Sequence, residues 1–202
     1  MDRHLQLVIL SGGQNTRFNG LSKARINVKG LPVYKRIMNA AEVKQAIVIA
    51  NSANDQAYFE QDNNITVFSD IIKGKGPLSG LHTALKKAKS DFILLMPSDL
   101  PLMNAKTINF LMQHNISGYD AIIPVCDGII HPLSAIYSKR VITKLETFLY
   151  SVSKFSVKNF LSQISPLYID IPNVELYQQA FQNMNTPEDF RNLLKFVDDE
   201  NQ

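Results

Sequence analysis

In the segment QLVILSGGQNTRFNG, residues 6–20, a short apolar run leads directly into two glycines. Residues 6–10 are typical of a β-strand buried on both faces, because they lack the polar alternation of a strand with one wet face. Gly12 and Gly13 then permit positive φ and leave no Cβ between backbone amides and phosphate oxygens. The segment predicts a strand followed by an anion-binding loop.

Two cations, Arg17 and Lys23, follow the glycines in the same connection. A guanidinium can grip two phosphate oxygens, whereas an ammonium acts as a point charge. The glycines alone would fit a plain turn equally well. Their combination with two cations after a first strand favours a triphosphate site, since open α/β sheets bind ligands at that edge. The spacing fits neither the Walker A pattern nor the dinucleotide fingerprint.

Apolar strands and helix-length segments alternate along the chain and predict its fold class. The predicted strands are residues 6–10, 45–50, 66–68, 92–96 and 121–125, and the predicted helices are residues 32–41, 79–89, 105–114, 138–148, 156–164 and 187–197. This order indicates an α/β protein with three layers, a Rossmann-like fold whose mostly parallel central sheet is flanked by helices. We expect one domain over residues 1–197 and a frayed tail over 198–202.

Composition excludes several classes of protein. Of the 202 residues, 45% are hydrophobic and 19% are charged, which is a globular balance and not that of a disordered chain. The formal net charge of +3 does not indicate a nucleic-acid or membrane surface. Cys126 is the only cysteine, so a disulfide within the chain is excluded and a reducing compartment is favoured. The first apolar run is too short for a signal or membrane segment, and we expect a cytoplasmic protein.

A second chemical signal follows the fourth predicted strand, where Asp99 stands between Pro97 and Pro101. A carboxylate at the mouth of a buried strand is unfavourable unless it meets a cation or water. Magnesium prefers oxygen ligands and keeps several waters, so one carboxylate and phosphate oxygens can supply much of its shell. Asp99 is therefore the candidate ligand for Mg²⁺, with a turn aspartate as the alternative.

Polar residues after the second and third predicted strands would face the same crevice. Asp70 would contact the nucleotide or a metal-bound water, and Asn51 would bond a ribose or base, although both residue types are also common in turns. Residues 76–80, GPLSG, offer Ser79 as an N-cap and small residues that permit close approach of a ligand. They would line the base and ribose pocket or form a plain entry to a helix.

Five motifs occur in an order that resembles one family. These are residues 10–13 with Arg17, Phe18 and Lys23, residues 76–80, residues 97–101, His131-Pro132-Leu133 and residues 183–189. They resemble the molybdenum cofactor guanylyltransferase family over nearly the whole chain. The resemblance implies a Rossmann-like nucleotidyltransferase fold, GTP as donor, Mg²⁺ as metal and molybdopterin phosphate as acceptor. The implied products are molybdopterin guanine dinucleotide and pyrophosphate.

The resemblance also implies roles for individual residues. GTP binding falls to Leu10, Ser11, Gly12, Gly13, Lys23, Asn51, Asp70, Pro77, Gly80 and Asp99. The catalytic set is Arg17, Lys23 and Asp99, with Asp99 as the metal ligand. Residues 183–186 would lie close to the reacting phosphates or the acceptor, and the candidate contacts of the acceptor are His131, Asn183 and Asn185. His131 fits a structural strand residue equally well. The implied partners are GTP, molybdopterin and, in transient contact, proteins that deliver or receive the molybdenum cofactor, with no nucleic acid and no membrane.

Three positions depart from the usual pattern of that family. Phe18 stands where methionine is common, Asn19 where glycine is common, and Ser22 where an aspartate often precedes the lysine. Asn tolerates positive φ better than most residues, whereas the missing carboxylate at position 22 would alter how Lys23 is oriented. Two alternatives remain: a transferase that uses CTP or another acceptor such as a sugar phosphate, and a nucleotide-binding regulatory module without turnover.

Other reactive residues do not form a pattern. His4, His82 and His114 lack metal-ligand spacing with Cys126 or with one another, which does not support a zinc site. No Ser-His-Asp or Cys-His arrangement stands in a convincing context, and we interpret Cys126 as a small buried hydrophobe. Covalent catalysis is therefore not expected.

Overall fold

The computed structural model describes residues 5–12, 21–28, 30–151 and 155–198 of the chain. Within these ranges the strands form one eight-stranded sheet and a separate two-stranded hairpin. The strands are β1 (Leu5–Ser11), β2 (Asn27–Val28), β3 (Leu31–Pro32), β4 (Ala46–Ala50), β5 (Ile65–Phe68), β6 (Phe92–Pro97), β7 (Ala121–Cys126), β8 (Ile129–Ile130), β9 (Ala135–Ser138) and β10 (Pro166–Asp170).

Helices connect the strands of the large sheet. They are α1 (Val33–Ala40), α2 (Ala53–Phe59), α3 (Pro77–Lys87), α4 (Ala105–Met112), α5 (Ile142–Ser151), α6 (Val157–Leu161), α7 (Glu175–Gln179) and α8 (Pro187–Asp198). Lys23–Arg25 and Lys139–Val141 each form a single turn of 3-10 helix. Asp198, placed in the predicted tail, is the last residue of α8, and the rest of that tail lies outside the described residues.

The large sheet has the strand order β10-β7-β9-β6-β1-β4-β5, with β8 paired to β7. Strand β9 is antiparallel to both β6 and β7, whereas β1, β4, β5 and β6 pair in parallel and so do β7 and β10. All five predicted strands are present and the predicted mostly parallel sheet is confirmed. Strand β9 was not predicted, because its last residue, Ser138, was placed at the start of a helix. The other strands missing from the prediction are β2, β3, β8 and β10.

Both faces of the sheet are covered, which confirms the three layers. Leu7 and Ile9 of β1 pack in one cluster with residues of α1 and α4, while Val8 between them packs in a second cluster with residues of α3 and α5. Alternate side chains of one strand thus enter two separate cores. This explains why the strand reads as a continuous apolar run.

The side on which successive strands are added to the sheet changes at β1. It builds β4 and β5 on one side of β1 and then returns to build β6 on the other side. Leu10 of β1 is in register with Pro97 of β6, and the Ser98 N–H donates to the Leu10 carbonyl at 3.0 Å. The residues that leave these two strands therefore start from neighbouring points at the edge where such sheets bind ligands.

Four of the predicted helix starts are wrong. The helix predicted over residues 138–148 begins at Ile142, because Ser138 ends β9 and Lys139–Val141 form a 3-10 turn. The helix predicted from residue 156 begins at Val157, with Ser156 as its N-cap.

The starts of α1 and α3 are wrong by one and two residues. Helix α3 begins at Pro77 behind Gly76, whose φ of 59° and ψ of −142° suit glycine. Ser79, predicted as the N-cap, lies inside the first turn and accepts a hydrogen bond from the Lys75 N–H at 3.0 Å. Pro32, predicted inside the next helix, is the N-cap residue of α1 and also ends β3. Thr186 does cap α8 as predicted, since its Oγ1 accepts from the Asp189 N–H at 3.1 Å.

The far end of the sheet is held by one buried carboxylate. Asp120 is 4% exposed and accepts hydrogen bonds from Arg140 Nε at 2.7 Å, Lys144 Nζ at 2.9 Å and the Ser165 N–H at 3.0 Å. Burial opposes ionisation of this group, but the hydrogen bonds from Lys144, Ser165 and Arg140 outweigh it and lower the pKa of Asp120. The carboxylate joins the entry to α5 and the start of β10 to the strand β7.

We predict that Asp120→Ala lowers the free energy of unfolding by about 2 kcal/mol, a value kept low because the two cations are half exposed to solvent. Urea unfolding at neutral pH measures the change. The loss should shrink as pH falls through the lowered pKa of Asp120, because protonation removes the same interactions in the wild type. The control Asp170→Ala, an exposed aspartate on β10, should change stability by less than about 0.5 kcal/mol.

Candidate active site

A cavity of about 490 Å³ opens at the carboxyl ends of β1, β4 and β6. Eight of the ten residues predicted to bind GTP line it: Leu10, Gly12, Lys23, Asn51, Asp70, Pro77, Gly80 and Asp99. Ser11 is not among the lining residues, and Gly13 lies outside the described residues, as does Arg17. The structure thus brings together residues that are up to 89 positions apart in the sequence, from Leu10 to Asp99.

Close packing between β1 and α3 shapes one wall of the cavity. A Cβ atom at Gly80 would lie 2.8 Å from Leu10 Cδ2, closer than side chains pack. The glycine therefore lets the helix approach the end of β1. Gly76, Pro77 and Gly80 all line the cavity, which agrees with the prediction that residues 76–80 form part of a ligand pocket.

A buried hydroxyl pair determines where Lys23 lies. Ser11 and Ser22 are 3% and 2% exposed, and their Oγ atoms are 2.5 Å apart. The bond pins the start of the 3-10 turn Lys23–Arg25 to the end of β1. The Ser22 hydroxyl thus has a structural partner of its own, and the side chain of Ser11 is occupied by that contact.

Lys23 contacts two residues from distant parts of the chain. Its Nζ donates to Asn185 Oδ1 at 2.7 Å and lies 3.5 Å from Asp99 Oδ2. The side chains of Lys23 and Asp99 are 22% and 26% exposed, so this ion pair is partly open to the cavity. The two groups of opposite charge predicted to act on a triphosphate therefore meet at one point.

The segment that precedes α8, residues 183–186, is hydrogen-bonded to Asp99 and Lys23. The Met184 N–H donates to the Asp99 carbonyl at 2.8 Å. The Asp189 carboxylate accepts from the N–H groups of Asn185 and Thr186, both at 2.8 Å, and these two bonds lower the pKa of Asp189. The C-terminal motif thus contacts two residues of the cavity, Lys23 and Asp99, although none of residues 183–189 lines the cavity itself and Asn183 is exposed.

Asn51 and Asp70 form a reciprocal pair at another part of the cavity. Asn51 Nδ2 donates to Asp70 Oδ2 at 2.7 Å, and the Asp70 N–H donates to Asn51 Oδ1 at 2.9 Å. Burial raises the pKa of Asp70, and the hydrogen bond from Asn51 offsets that effect only in part. Asp70 Oδ1 is buried and has no hydrogen-bond partner in the described part of the chain. This pair presents a polar edge in a mostly apolar cavity.

His131 lies beside the site and does not line it. Its ring packs against Phe181 with centroids 4.6 Å apart, and burial lowers its pKa, so the imidazole is neutral at pH 7. Leu133, two residues later, does line the cavity. The His-Pro-Leu motif therefore contributes a lining residue that the sequence did not single out.

Several other lining residues were not predicted, among them Ile49, Gly74, Pro97 and Ser98. Ser98 lies inside the quoted motif around Asp99, whereas Ile49 is an apolar strand residue that nothing in the sequence distinguishes from its neighbours. Asp189 also lies inside a quoted motif, and its position three residues after Thr186 is the spacing of a capping box.

The donor set around Asp99 fits a magnesium ion held mainly by phosphate. Within the described ranges no three His, Cys, Asp or Glu residues cluster in a way that would hold a metal by themselves. Asp99 supplies a partly exposed carboxylate at the cavity, and a single carboxylate is a common protein contribution to Mg²⁺ bound with a nucleotide.

The helices of the described part of the chain include none that is long and apolar enough to cross a membrane. Cys126 is buried as expected, and burial raises the pKa of its thiol.

Comparison with known proteins identifies the relatives of this chain. Residues 7–165 match the family model described as "MobA-like NTP transferase domain". A Bacillus subtilis protein named "Probable molybdenum cofactor guanylyltransferase" is 32% identical over 91% of both chains. A Bacillus velezensis protein of the same name is 30% identical over 96% of this chain and 97% of its own.

The fold is also that of a solved relative. The crystal structure of molybdopterin-guanine dinucleotide biosynthesis protein A from Archaeoglobus fulgidus superposes with a TM-score of 0.78 at 21% sequence identity, covering 96% of this chain and 99% of that one. The family model spans most of the chain, and the curated relatives match it nearly end to end. The chain therefore belongs to the MobA-like NTP transferase family, and its curated relatives there bear the name of molybdenum cofactor guanylyltransferases.

Proposed function

We propose that this nucleotidyltransferase moves GMP from GTP to the phosphate of molybdopterin, with molybdopterin guanine dinucleotide and pyrophosphate as products. The observation that carries the proposal is the convergence on one cavity of Lys23, Asp99 and the Asn51–Asp70 pair. Lys23 comes from the 3-10 turn that follows β1, and the other three residues follow β6, β4 and β5. The names of the curated relatives support the donor base and the acceptor.

The donor would lie along the cavity from phosphates to base. Gly12, Gly13 and Lys23 would bind the triphosphate, since the loop supplies amides and Lys23 a charge. Asn51 and Asp70 would contact the guanosine, with Leu10, Pro77 and Gly80 forming the apolar wall. Guanine offers N–H donors along its pairing edge, and lone pairs of the Asp70 carboxylate suit such donors. Ser11 would contribute through its backbone, because its hydroxyl is bonded to Ser22.

Asp99 would hold Mg²⁺ together with oxygens of the donor phosphates. When bound, the ion would neutralise phosphate charge and fix the donor's geometry. Lys23 would orient the triphosphate, and Arg17 with Lys23 would stabilise the charge that grows on the pyrophosphate. Positioning and electrostatics would supply most of the rate.

The reaction would be an in-line displacement. A phosphate oxygen of the acceptor attacks the α-phosphorus, a new P–O bond forms, and the bond to pyrophosphate breaks. No general base is needed, since the attacking phosphate is already anionic. His131, Asn183 and Asn185 would lie on the acceptor side. The neutral His131 ring packed on Phe181 would serve there as an apolar surface with a polar edge.

The cellular setting belongs to the same proposal. A chain with one buried cysteine suits the reducing cytoplasm. Molybdopterin is labile, so transient contact with proteins that deliver or receive the cofactor would protect it. Neither the transfer of GMP nor contact with these proteins requires nucleic acid or a membrane.

The decisive experiment incubates the protein with molybdopterin, Mg²⁺ and each of the four nucleoside triphosphates in turn, and detects products by mass. We expect a dinucleotide and pyrophosphate with GTP. A dinucleotide with CTP alone would assign another base, and a product only with a sugar phosphate would assign another acceptor. Nucleotide binding without pyrophosphate release under any condition would indicate a regulatory module.

We predict that Asp99→Ala lowers turnover about a hundredfold or more, because a carboxylate that holds the metal acts on the transition state. Circular dichroism and thermal unfolding should match the wild type. The control Asp91→Ala, an exposed aspartate at the opposite end of β6, should retain turnover. Near-normal metal-dependent activity in Asp99→Ala would refute the metal role.

We further predict that Asp70→Ala weakens GTP binding about tenfold, the effect of losing a hydrogen bond to a charged group. Pyrophosphate binding should not change, because it uses the phosphate side of the cavity only. Isothermal titration calorimetry measures both ligands. An equal loss for pyrophosphate would mean that Asp70 supports the whole cavity and does not contact guanosine.

A further inference from the structure

We infer that Asn185 acts on the donor side of the reaction, as a positioning residue that orients Lys23 for the triphosphate, and that Asp189 holds it in place. The inference rests on the proposed function, which makes Lys23 a triphosphate ligand. It gives the C-terminal motif a second task besides contact with the acceptor. The observation behind it is the 2.7 Å hydrogen bond from Lys23 Nζ to Asn185 Oδ1, which joins residues 162 positions apart.

This bond is the shorter of the two contacts that fix the Lys23 ammonium. Asn185 Oδ1 is 2.7 Å from Nζ, whereas Asp99 Oδ2 is 3.5 Å away. A lysine side chain has four rotatable bonds, and its free rotation opposes binding unless a neighbour selects one rotamer. The hydrogen bond to Asn185 selects one rotamer of Lys23.

The neutrality of the Asn185 amide matters for this task. An amide oxygen accepts one of the three ammonium hydrogens without cancelling the positive charge, so Lys23 keeps its attraction for phosphate. A carboxylate in the same position would pair with Lys23 and compete with the triphosphate. The chemistry of the site thus favours asparagine over aspartate at position 185.

The support for Asn185 comes from its own backbone and that of its neighbours. Asp189 accepts from the N–H groups of Asn185 and Thr186, and the Asp189 N–H donates to Thr186 Oγ1. The Met184 N–H donates to the Asp99 carbonyl. These bonds tie the segment to the start of α8 and to the metal-binding turn, so the Asn185 side chain is presented to Lys23 from a fixed backbone.

The test is calorimetric titration of GTP in Mg²⁺ buffer with the acceptor absent. Asn185→Ala should bind GTP about tenfold more weakly than the wild type. Asn185→Asp should also bind more weakly, although it keeps an acceptor oxygen at this position. The matched control Gln182→Ala, an exposed amide three residues earlier, should bind as the wild type does. Equal thermal unfolding midpoints exclude a loss of fold.

A double-mutant cycle shows whether the effect passes through Lys23. Lys23→Ala should weaken GTP binding, and Lys23→Ala with Asn185→Ala should bind no more weakly than Lys23→Ala alone, because residues that act through one contact are not additive. Asp189→Ala should weaken GTP binding in the same direction as Asn185→Ala.

The possible results separate the two ideas. If Lys23→Ala leaves GTP affinity unchanged, the triphosphate role in the proposed function is wrong. If Lys23→Ala weakens binding while Asn185→Ala does not, only the positioning role is overturned. A raised KM for the acceptor with unchanged GTP affinity in Asn185→Ala would assign the residue to the acceptor alone. Additive losses in the cycle would show that it acts independently of Lys23.

Discussion

The parallel pairing of β1 with β6 is the constraint on which the site depends. With Leu10 opposite Pro97 and the Ser98 N–H bonded to the Leu10 carbonyl, both strands end at the same height. The glycine loop and the Asp99 turn must then leave the sheet beside each other. Parallel strands with crossover helices place all such ends at one edge, so the residues proposed to bind phosphate and metal come together although they are far apart in the sequence.

The charges of Lys23 and Asp99 at this edge of the sheet do not fully neutralise each other. Lys23 Nζ lies 3.5 Å from Asp99 Oδ2, both side chains are partly exposed, and the shorter contact of Lys23 is to the neutral amide of Asn185. A tight, fully buried ion pair would satisfy both groups and leave little for a ligand. The carboxylate remains suited to a divalent cation, and the ammonium to phosphate. The reciprocal Asn51–Asp70 pair supplies a second polar edge of the cavity. Burial raises the pKa of the Asp70 carboxyl group, and the hydrogen bond from Asn51 lowers it.

Much of this arrangement follows from local pattern. The short apolar runs of β1, β4, β5, β6 and β7 have strand length, and each forms a strand of the large sheet. The elements that escaped prediction are those with weak patterns. Helix α2, ANDQAYF, buries only Asp55 and Phe59, and α7 buries none of its side chains, so neither carries a clear apolar stripe. Strand β9 is recognisable only from its neighbours, since its four buried residues are paired to β6 and β7 on either side.

The α/β class and the mostly parallel sheet follow from the amino-acid sequence alone, because they depend on the local spacing of apolar residues. Eight of the residues that the family resemblance assigns to GTP binding also line the cavity. Tertiary structure alone decided that Ser22 would bond to Ser11, that Leu133 and not His131 would line the cavity, and that Asn185 would meet Lys23. Each of these contacts joins residues brought together by the folding of distant segments. A one-dimensional pattern carries no information about such distances, whereas the packed sheet and the capped start of α8 determine them.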